Sequence, residues 1–236
     1  MEYLHNGFTL ETAPGCFPLS TDSMVLSRFL KLPKNARVLD LGSGCGTLGL
    51  LLCAKDPGCT VTGIELDHAA HSCALENIHR NCLESRLESI CGDLREVSGL
   101  ISPGSYGCCV SNPPYFSAGP ASRTTPLARR EDCCRPEDLM KAAAWVLKYG
   151  GDFFLVHKPE RLAELISTGS AHGLEAKRLG LVRHAPDAPV SMILLQLRKG
   201  GKPGLLWEEY CLHDSQGQPT AFYKEVYHMD RVPFYQ

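Results

Sequence analysis

Three carboxylates, a glycine loop and an Asn-Pro-Pro-Tyr segment carry the chemistry that this sequence can do. Asp40 lies in Val38-Leu39-Asp40-Leu41-Gly42-Ser43-Gly44-Cys45-Gly46, where an apolar run ends and a helix-like segment begins. Glycines at such a turn let the backbone bend sharply and approach a ligand without interference from a Cβ. The following helix then directs its N-terminus into the crevice. Gly44, Gly46 and Gly49 also satisfy the dinucleotide spacing Gly-x-Gly-x-x-Gly. Asp40 argues against a pyrophosphate there, because like charges repel in a partly desolvated crevice. A ligand with ammonium and sulfonium centres is attracted by it instead. S-adenosylmethionine carries both, and its ribose diol suits Glu65 at the end of the next apolar run. Asp93 follows the third run in Cys91-Gly92-Asp93-Leu94. It is placed to accept from an adenine amino group, or else to cap the helix after it.

A fourth run ends in Cys108-Cys109-Val110-Ser111 and leads directly into Asn112-Pro113-Pro114-Tyr115. Two prolines fix φ twice and restrict the residues before them, so the segment is rigid. An exocyclic amine needs acceptors for its two hydrogens. The Asn112 side-chain oxygen and the Pro113 carbonyl supply them and turn the nitrogen lone pair toward a methyl donor. No strong base is needed before transfer, because the sulfonium leaves neutral. Tyr115 offers an aromatic face to a planar base or amide.

These residues need a scaffold that brings four strand ends together. Short runs at 37–41, 60–64, 87–91, 106–111 and 152–156 alternate with helical spacing at 47–55, 68–81 and 136–149, and more weakly at 94–101. Strand-then-helix alternation implies a doubly wound α/β fold with a parallel sheet covered on both faces. Residues 159–168 read as a helix, and 175–182 with 190–198 as an antiparallel hairpin closing the sheet. A short helix is expected at 21–32. The expected organisation is an N-terminal arm (1–35), a catalytic domain (36–199) and an irregular extension (200–236) docked on the body.

At 236 residues, with 44% hydrophobic and 21% charged side chains, the chain can bury a core without covalent staples. No apolar run is long enough to span a bilayer, and Glu2, Glu11, Pro14 and Pro18 spoil any secretory signal. The expected location is the cytoplasm. There the 12 cysteines remain reduced thiols, with Cys108 and Cys109 as core filler and Cys133-Cys134 as the more oxidation-prone pair. No Cys-x2-Cys spacing occurs, and His68-x-x-His71 lacks a third ligand, so no metal is expected. His68, His71 and His79 read as surface or satisfied groups, and Asp67 as the cap of their helix. The net charge of −2 announces no nucleic acid by itself, although Arg123, Arg129, Arg130 and Arg135 make a locally positive segment.

Val38–Gly46, Glu65, Asp93 and Asn112–Tyr115, in this order, resemble the class I S-adenosylmethionine-dependent methyltransferases that act on amino groups. Phe17-Pro18-Leu19-Ser20-Thr21-Asp22-Ser23, Arg129-Arg130-Glu131, Leu147–Gly151 and His157–Leu162 narrow this. Together they resemble the tRNA (adenine-N6)-methyltransferases that modify the adenine beside the anticodon of a valine tRNA. The resemblance implies a seven-stranded Rossmann-like sheet and a flipped adenine methylated directly at N6. S-adenosylmethionine would be held by Asp40, Gly42, Gly44, Gly46, Glu65, Leu66, Asp93, Leu94 and Asn112, with Asp22 at its methionine end. Asn112, Pro113 and Tyr115 would be catalytic. Pro114, Tyr115, Phe116, Arg123, Arg129, Arg130, Lys158 and Arg161 would meet the RNA. Glutamine-N5 methylation of a release factor and guanine-N2 methylation of ribosomal RNA pose the same geometric problem and remain open, as does DNA adenine methylation. A nicotinamide-dependent dehydrogenase and a catalytically silent RNA-binding domain are the readings from other classes.

Overall fold

The computed structural model describes residues 1–4, 7–113 and 134–227. An arm of two short strands, β1 (Glu2–Tyr3) and β2 (Thr9–Leu10), precedes helix α1 (Thr21–Phe29). The core alternates β3 (Arg37–Leu41), α2 (Thr47–Lys55), β4 (Thr60–Glu65), α3 (His68–Arg80) and β5 (Leu87–Cys91). A 3-10 turn at Leu94–Glu96 and α4 (Val97–Leu100) lead to β6 (Tyr106–Ser111). Then come α5 (Pro136–Val146), β7 (Leu147–His157), a 3-10 turn at Pro159–Arg161 and α6 (Leu162–Ala171). Strands β8 (Leu174–Arg183), β9 (Val190–Lys199) and β10 (Leu206–Cys211) and helix α7 (Ala221–Val226) complete the described chain.

The central sheet has the order β10-β8-β9-β7-β6-β3-β4-β5. Strands β5, β4, β3, β6 and β7 run parallel, β9 is antiparallel to both β7 and β8, and β10 is parallel to β8. Because β3 pairs with β4 on one side and β6 on the other, the order of the strands reverses at β3, with α2 and α3 on one face and α4 and α5 on the other. This opens a crevice above the carboxyl ends of the strands. Alternate residues feed two cores. Val38, Cys108, Val110 and Phe154 join the core under α1, α2 and α3. Leu39, Cys109, Phe153 and Leu155 join the one under α5. Cys108 and Cys109 thus fill opposite faces, and burial lifts both thiols well above their ordinary range.

Three local expectations change. The eighth strand comes from the extension expected to be irregular: β10 lies along β8, with Leu206 and Trp207 exposed. An edge strand has no second neighbour to demand apolar alternation, so its pattern is weak. It is tethered by Arg178 in β8, buried, whose Nη2 donates to Glu208 Oε2 at 2.7 Å while its guanidinium lies 4.1 Å from the Phe29 ring centre. Next, α5 ends at Val146 instead of 149, since Leu147 is already extended (φ −74°, ψ 135°). Tyr106 pairs with Leu147 and Cys108 with Asp152, so residues 148–151 bulge out of the ladder around Gly150 at φ +79°. Last, Cys134 is buried and is no exposed oxidation site; its neighbour Cys133 lies outside the described residues.

Arg178→Ala is expected to lower stability by about 2 kcal/mol in urea unfolding, since Glu208 loses its buried partner and β10 its tether. An unchanged midpoint would show that β10 is held without it. No helix among the described residues is long and apolar enough to cross a membrane.

Candidate active site

A cleft of about 630 Å³ lies above the ends of β3, β4, β5 and β6, within the range of small-molecule sites. The loop after β3 forms its floor. Gly42, Gly44 and Gly46 adopt φ of +76°, +56° and +84°, a region that side chains with a Cβ occupy at a cost of about 1–2 kcal/mol. Gly42 and Ser43 both donate their N–H to the Ile64 carbonyl at 3.0 Å, which folds the loop against β4. Gly46 then begins α2 with no side-chain cap and no acidic residue in the first turn. The N–H groups there are available to an anionic group of a ligand. A Cβ on Gly46 would meet Ala74 Cβ at an ordinary 3.6 Å, so the cost of substitution is backbone strain. Gly46→Ala is expected to weaken cofactor binding roughly tenfold, scaled from that strain, in equilibrium titration. Unchanged affinity would mean that the loop tolerates another backbone path.

The carboxylates differ in how they are held. Asp40 is 1% exposed, lines the cleft, and neither oxygen has a hydrogen-bond partner among the described residues. Burial, reinforced by the nearby Glu65 charge, pushes its carboxyl up to about 8. An orphaned buried acceptor of this kind is costly, and a ligand ammonium would satisfy it. Glu65 has both oxygens engaged: Oε2 accepts from Gly44 N–H at 2.7 Å and Oε1 from Asp67 N–H at 2.8 Å. Each oxygen retains a lone pair for a ribose hydroxyl. Asp93 caps the 3-10 turn, accepting from Arg95 N–H at 2.9 Å and gripping the Arg95 guanidinium, which holds its carboxyl below the usual range. It still lines the cleft beside Leu94, and Leu66 does so after Glu65. Asp22 enters from α1, its carboxyl raised by burial against the opposing influence of Lys158 and His184.

Asn112 and Pro113 close the β6 side of the cleft. The Asn112 Nδ2 donates to Ser23 Oγ at 2.9 Å. The neighbouring Ser111 hydroxyl donates to the Leu41 carbonyl at 2.7 Å, tying β6 to the glycine loop. Lys158 and Arg161 stand at the exit of β7, Arg161 in an ion pair with Glu164 at 2.9 Å; neither lines the cleft. Pro114, Tyr115, Phe116, Arg123, Arg129 and Arg130 lie outside the described residues.

Sequence reasoning missed two supports. Asn77, fully buried on α3, donates to the carbonyls of Glu11 and Cys45 at 2.8 and 2.9 Å and accepts from Glu11 N–H at 2.9 Å. It pins the N-terminal arm to the glycine loop, which nothing in its local sequence announces. Ser23 is the second. Its signals were its place in the Phe17–Ser23 segment and the spacing Ser20-x-x-Ser23, since the Ser20 Oγ caps α1 by accepting from Ser23 N–H. Thiols on this wall are neutral: burial lifts Cys45 to about 11 and Cys73 to about 12. His68, His71 and His79 go to three separate partners, Cys91, Ser89 and Glu84, and Asp67 caps α3 as expected. No group of three metal-ligating side chains occurs among the described residues.

The model of the methyltransferase small domain matches residues 8–167, the stretch that contains β2 and α1, the glycine loop and Asn112. The chain belongs to the methyltransferase small domain family. A tRNA1(Val) (adenine(37)-N6)-methyltransferase of Photobacterium profundum is 30% identical over 213 residues, 88% of either chain. One of Bacteroides fragilis is 33% identical over 215 residues, 89% of this chain and 90% of its own length. Among solved structures, the "predicted O-methyltransferase" Atu636 of Agrobacterium tumefaciens superposes with a TM-score of 0.75 at 19% identity, over 88% of this chain and 96% of its own. A geranyl diphosphate C-methyltransferase of Streptomyces coelicolor, in complex with S-adenosyl-L-homocysteine, gives 0.56 at 13% identity over 75% and 78%. At such identities the likeness is one of fold.

The cofactor of this methyltransferase is S-adenosylmethionine, and the residues present fit it. Asp40, whose buried oxygens have no partner among the described residues, would suit its ammonium, the uncapped N-terminus of α2 its carboxylate, and Glu65 its ribose diol.

Proposed function

We propose that this enzyme methylates the exocyclic N6 of an adenine in tRNA, the adenine beside the anticodon of valine tRNA, with S-adenosylmethionine as donor and S-adenosylhomocysteine as product. The observation that carries the reading is the Asn112 amide at the cleft wall, with its nitrogen committed to Ser23. The oxygen is then the end left for an amine hydrogen. The names of the relatives, which act on N6 of adenine in tRNA1(Val), support the same substrate.

Bound S-adenosylmethionine supplies an electrophilic methyl group and departs as a neutral thioether. The task of the chain is to orient the amine and to take charge of its hydrogens. Asn112 Oδ1 and the Pro113 carbonyl accept the two N6–H bonds, which leaves the nitrogen lone pair free. As the new N–C bond forms the amine becomes cationic, and both acceptors stabilise that charge in a partly desolvated cleft. The extra proton then passes to solvent. Tyr115 is proposed to stack on the flipped base, with Pro114 and Phe116 beside it. Arg123, Arg129, Arg130, Lys158 and Arg161 are proposed to meet phosphates.

The test is transfer of a labelled methyl group to unmodified tRNA, ribosomal RNA, DNA and release factor in parallel, followed by digestion of the product. N6-methyladenosine confined to tRNA is expected, and label on a protein glutamine or on guanine would refute it. Tyr115→Ala is expected to raise the KM for tRNA roughly 5- to 100-fold, the range of one lost base–aromatic stack, with cofactor affinity unchanged. A normal KM would remove Tyr115 from the base site.

A further inference from the structure

Part of the cofactor cleft is built by the arm ahead of α1, where Pro14, Gly15, Cys16, Phe17 and Pro18 line it. Among the described residues the arm's only sheet partners lie within its own two-stranded ladder of β1 and β2. Helix α3 fixes its backbone instead. Asn81 Oδ1 accepts from Thr9 N–H at 2.7 Å, and Asn81 Nδ2 donates to the Thr9 carbonyl at 2.8 Å. One turn earlier, Asn77 holds Glu11 N–H and the Glu11 carbonyl in the same way, at 2.9 and 2.8 Å. An asparagine amide carries an acceptor and a donor, as a peptide group does. Each amide therefore stands in for a residue of a neighbouring strand. The spacings agree: four residues of helix rise about 6 Å, and two residues of strand advance about 6.6 Å. The ends of both amides are assigned by their partners, because a backbone N–H only donates and a carbonyl only accepts.

We propose that Asn77 and Asn81 are positioning residues for the cofactor, holding the arm in register so that residues 14–18 stand as a wall of the S-adenosylmethionine site. The path from this clamp to the cleft is short. Asn77 Nδ2 also donates to the Cys45 carbonyl at 2.9 Å, and Ala13 N–H to Cys45 Sγ at 3.4 Å. The arm and the glycine loop are thus fixed to one another. The Ala13 carbonyl then accepts from Cys16 N–H at 3.0 Å, in a turn that carries Gly15 at φ +87°. A slip of the arm by one residue would exchange its two faces. It would take Leu10 out of the core and move residues 14–18 out of place.

The proposal rests on the cleft being the cofactor site and not on the identity of the methyl acceptor, so its main readouts use no RNA. Asn81 is the residue to change. Its side-chain hydrogen bonds go to Thr9 and to its own helix, and neither it nor Thr9 lines the cleft. S-adenosylmethionine binding by calorimetry, hydrogen exchange of the Glu11 amide and melting temperature are compared between Asn81→Ala and the wild type. The acceptor of the Glu11 amide is Asn77, which the variant keeps, so its exchange reports the arm. That exchange is expected to rise roughly 5- to 30-fold, the scale of two lost hydrogen bonds, and the cofactor Kd at least threefold. By linkage, bound cofactor should in turn slow exchange of the Glu11 amide. Asn81→Gln, with the same amide on a longer stem, is the milder second variant and should show the same pattern.

A lower melting temperature with unchanged Kd would show a merely structural asparagine and overturn the proposal. So would a raised Kd with unchanged Glu11 exchange, since Asn81 would then act by another route, or no change in either quantity. If the wild type failed to bind S-adenosylmethionine, the cofactor assignment would fall first.

Discussion

Asn112→Ala is expected to lower methyl transfer by roughly 10²–10³-fold, the cost of removing one preorganised charge-stabilising group from an active site. Cofactor affinity should stay within about threefold, because most of the groups proposed to hold the cofactor belong to elements other than Asn112: the loop after β3, Glu65 and the start of α2. The fold should also survive. Among the described residues the Asn112 side chain makes one hydrogen bond, to Ser23, worth about 1 kcal/mol. The loss therefore belongs in kcat, since the interaction strengthens as charge develops on the amine. Single-turnover transfer from labelled S-adenosylmethionine, beside calorimetric binding, separates the two quantities. Full turnover with normal binding would sink the assignment of Asn112 as the amine acceptor.

Asp40→Asn is expected to do two opposite things. Removing the carboxylate takes away the proposed partner of the ligand ammonium, a loss of about 2–5 kcal/mol for a buried charged pair. Affinity for S-adenosylmethionine should thus fall at least about 30-fold. In the free protein the same carboxylate opposes folding. Its value rises from 3.8 to about 8, first through burial and then through the Glu65 charge. A folded-state value above the unfolded one means that the native state binds more protons between those two limits. This group's contribution is therefore most favourable below about pH 4, falls as pH rises toward 8, and is level above it. The slope is about 1.4 kcal/mol per pH unit. Asn carries no charge, so the variant escapes this decline. Its advantage in melting temperature over the wild type should be largest at pH 8 and shrink toward pH 5, where its own unsatisfied amide costs about 1–3 kcal/mol. Cofactor affinity of the wild type should in turn rise with pH through about 8, with release of a proton that Asp40→Asn abolishes. A pH-independent difference in stability would show that Asp40 is already ionised in the free protein.

The chain's local patterns were enough for the layer architecture, the glycine loop, the three strand-end acids and the placing of Asn112 and Pro113 at the end of β6. Each is a short stretch in which residue type and backbone demand coincide. Glycines stand where φ is positive, Asp40 at a strand end, and Asp67 at a helix start. Where one residue could answer two demands, only contacts decided. Asp93 satisfies both, capping its turn and gripping Arg95 while lining the cleft. The edge strand β10 and the shortened α5 were illegible because their registers are set by β8 and β6 and not by their own periodicity.

The orientation of Asn112, the pinning of the arm by Asn77 and the unpartnered state of Asp40 came from tertiary structure alone. Each depends on groups distant in sequence, Ser23 to Asn112 and Glu11 to Asn77 among them. The sequence by itself therefore determined which functional groups are present and at which strand ends they stand, because those follow from local backbone geometry. Their direction, pairing and protonation were decided by the tertiary structure, because hydrogen bonds and desolvation are properties of neighbours in space.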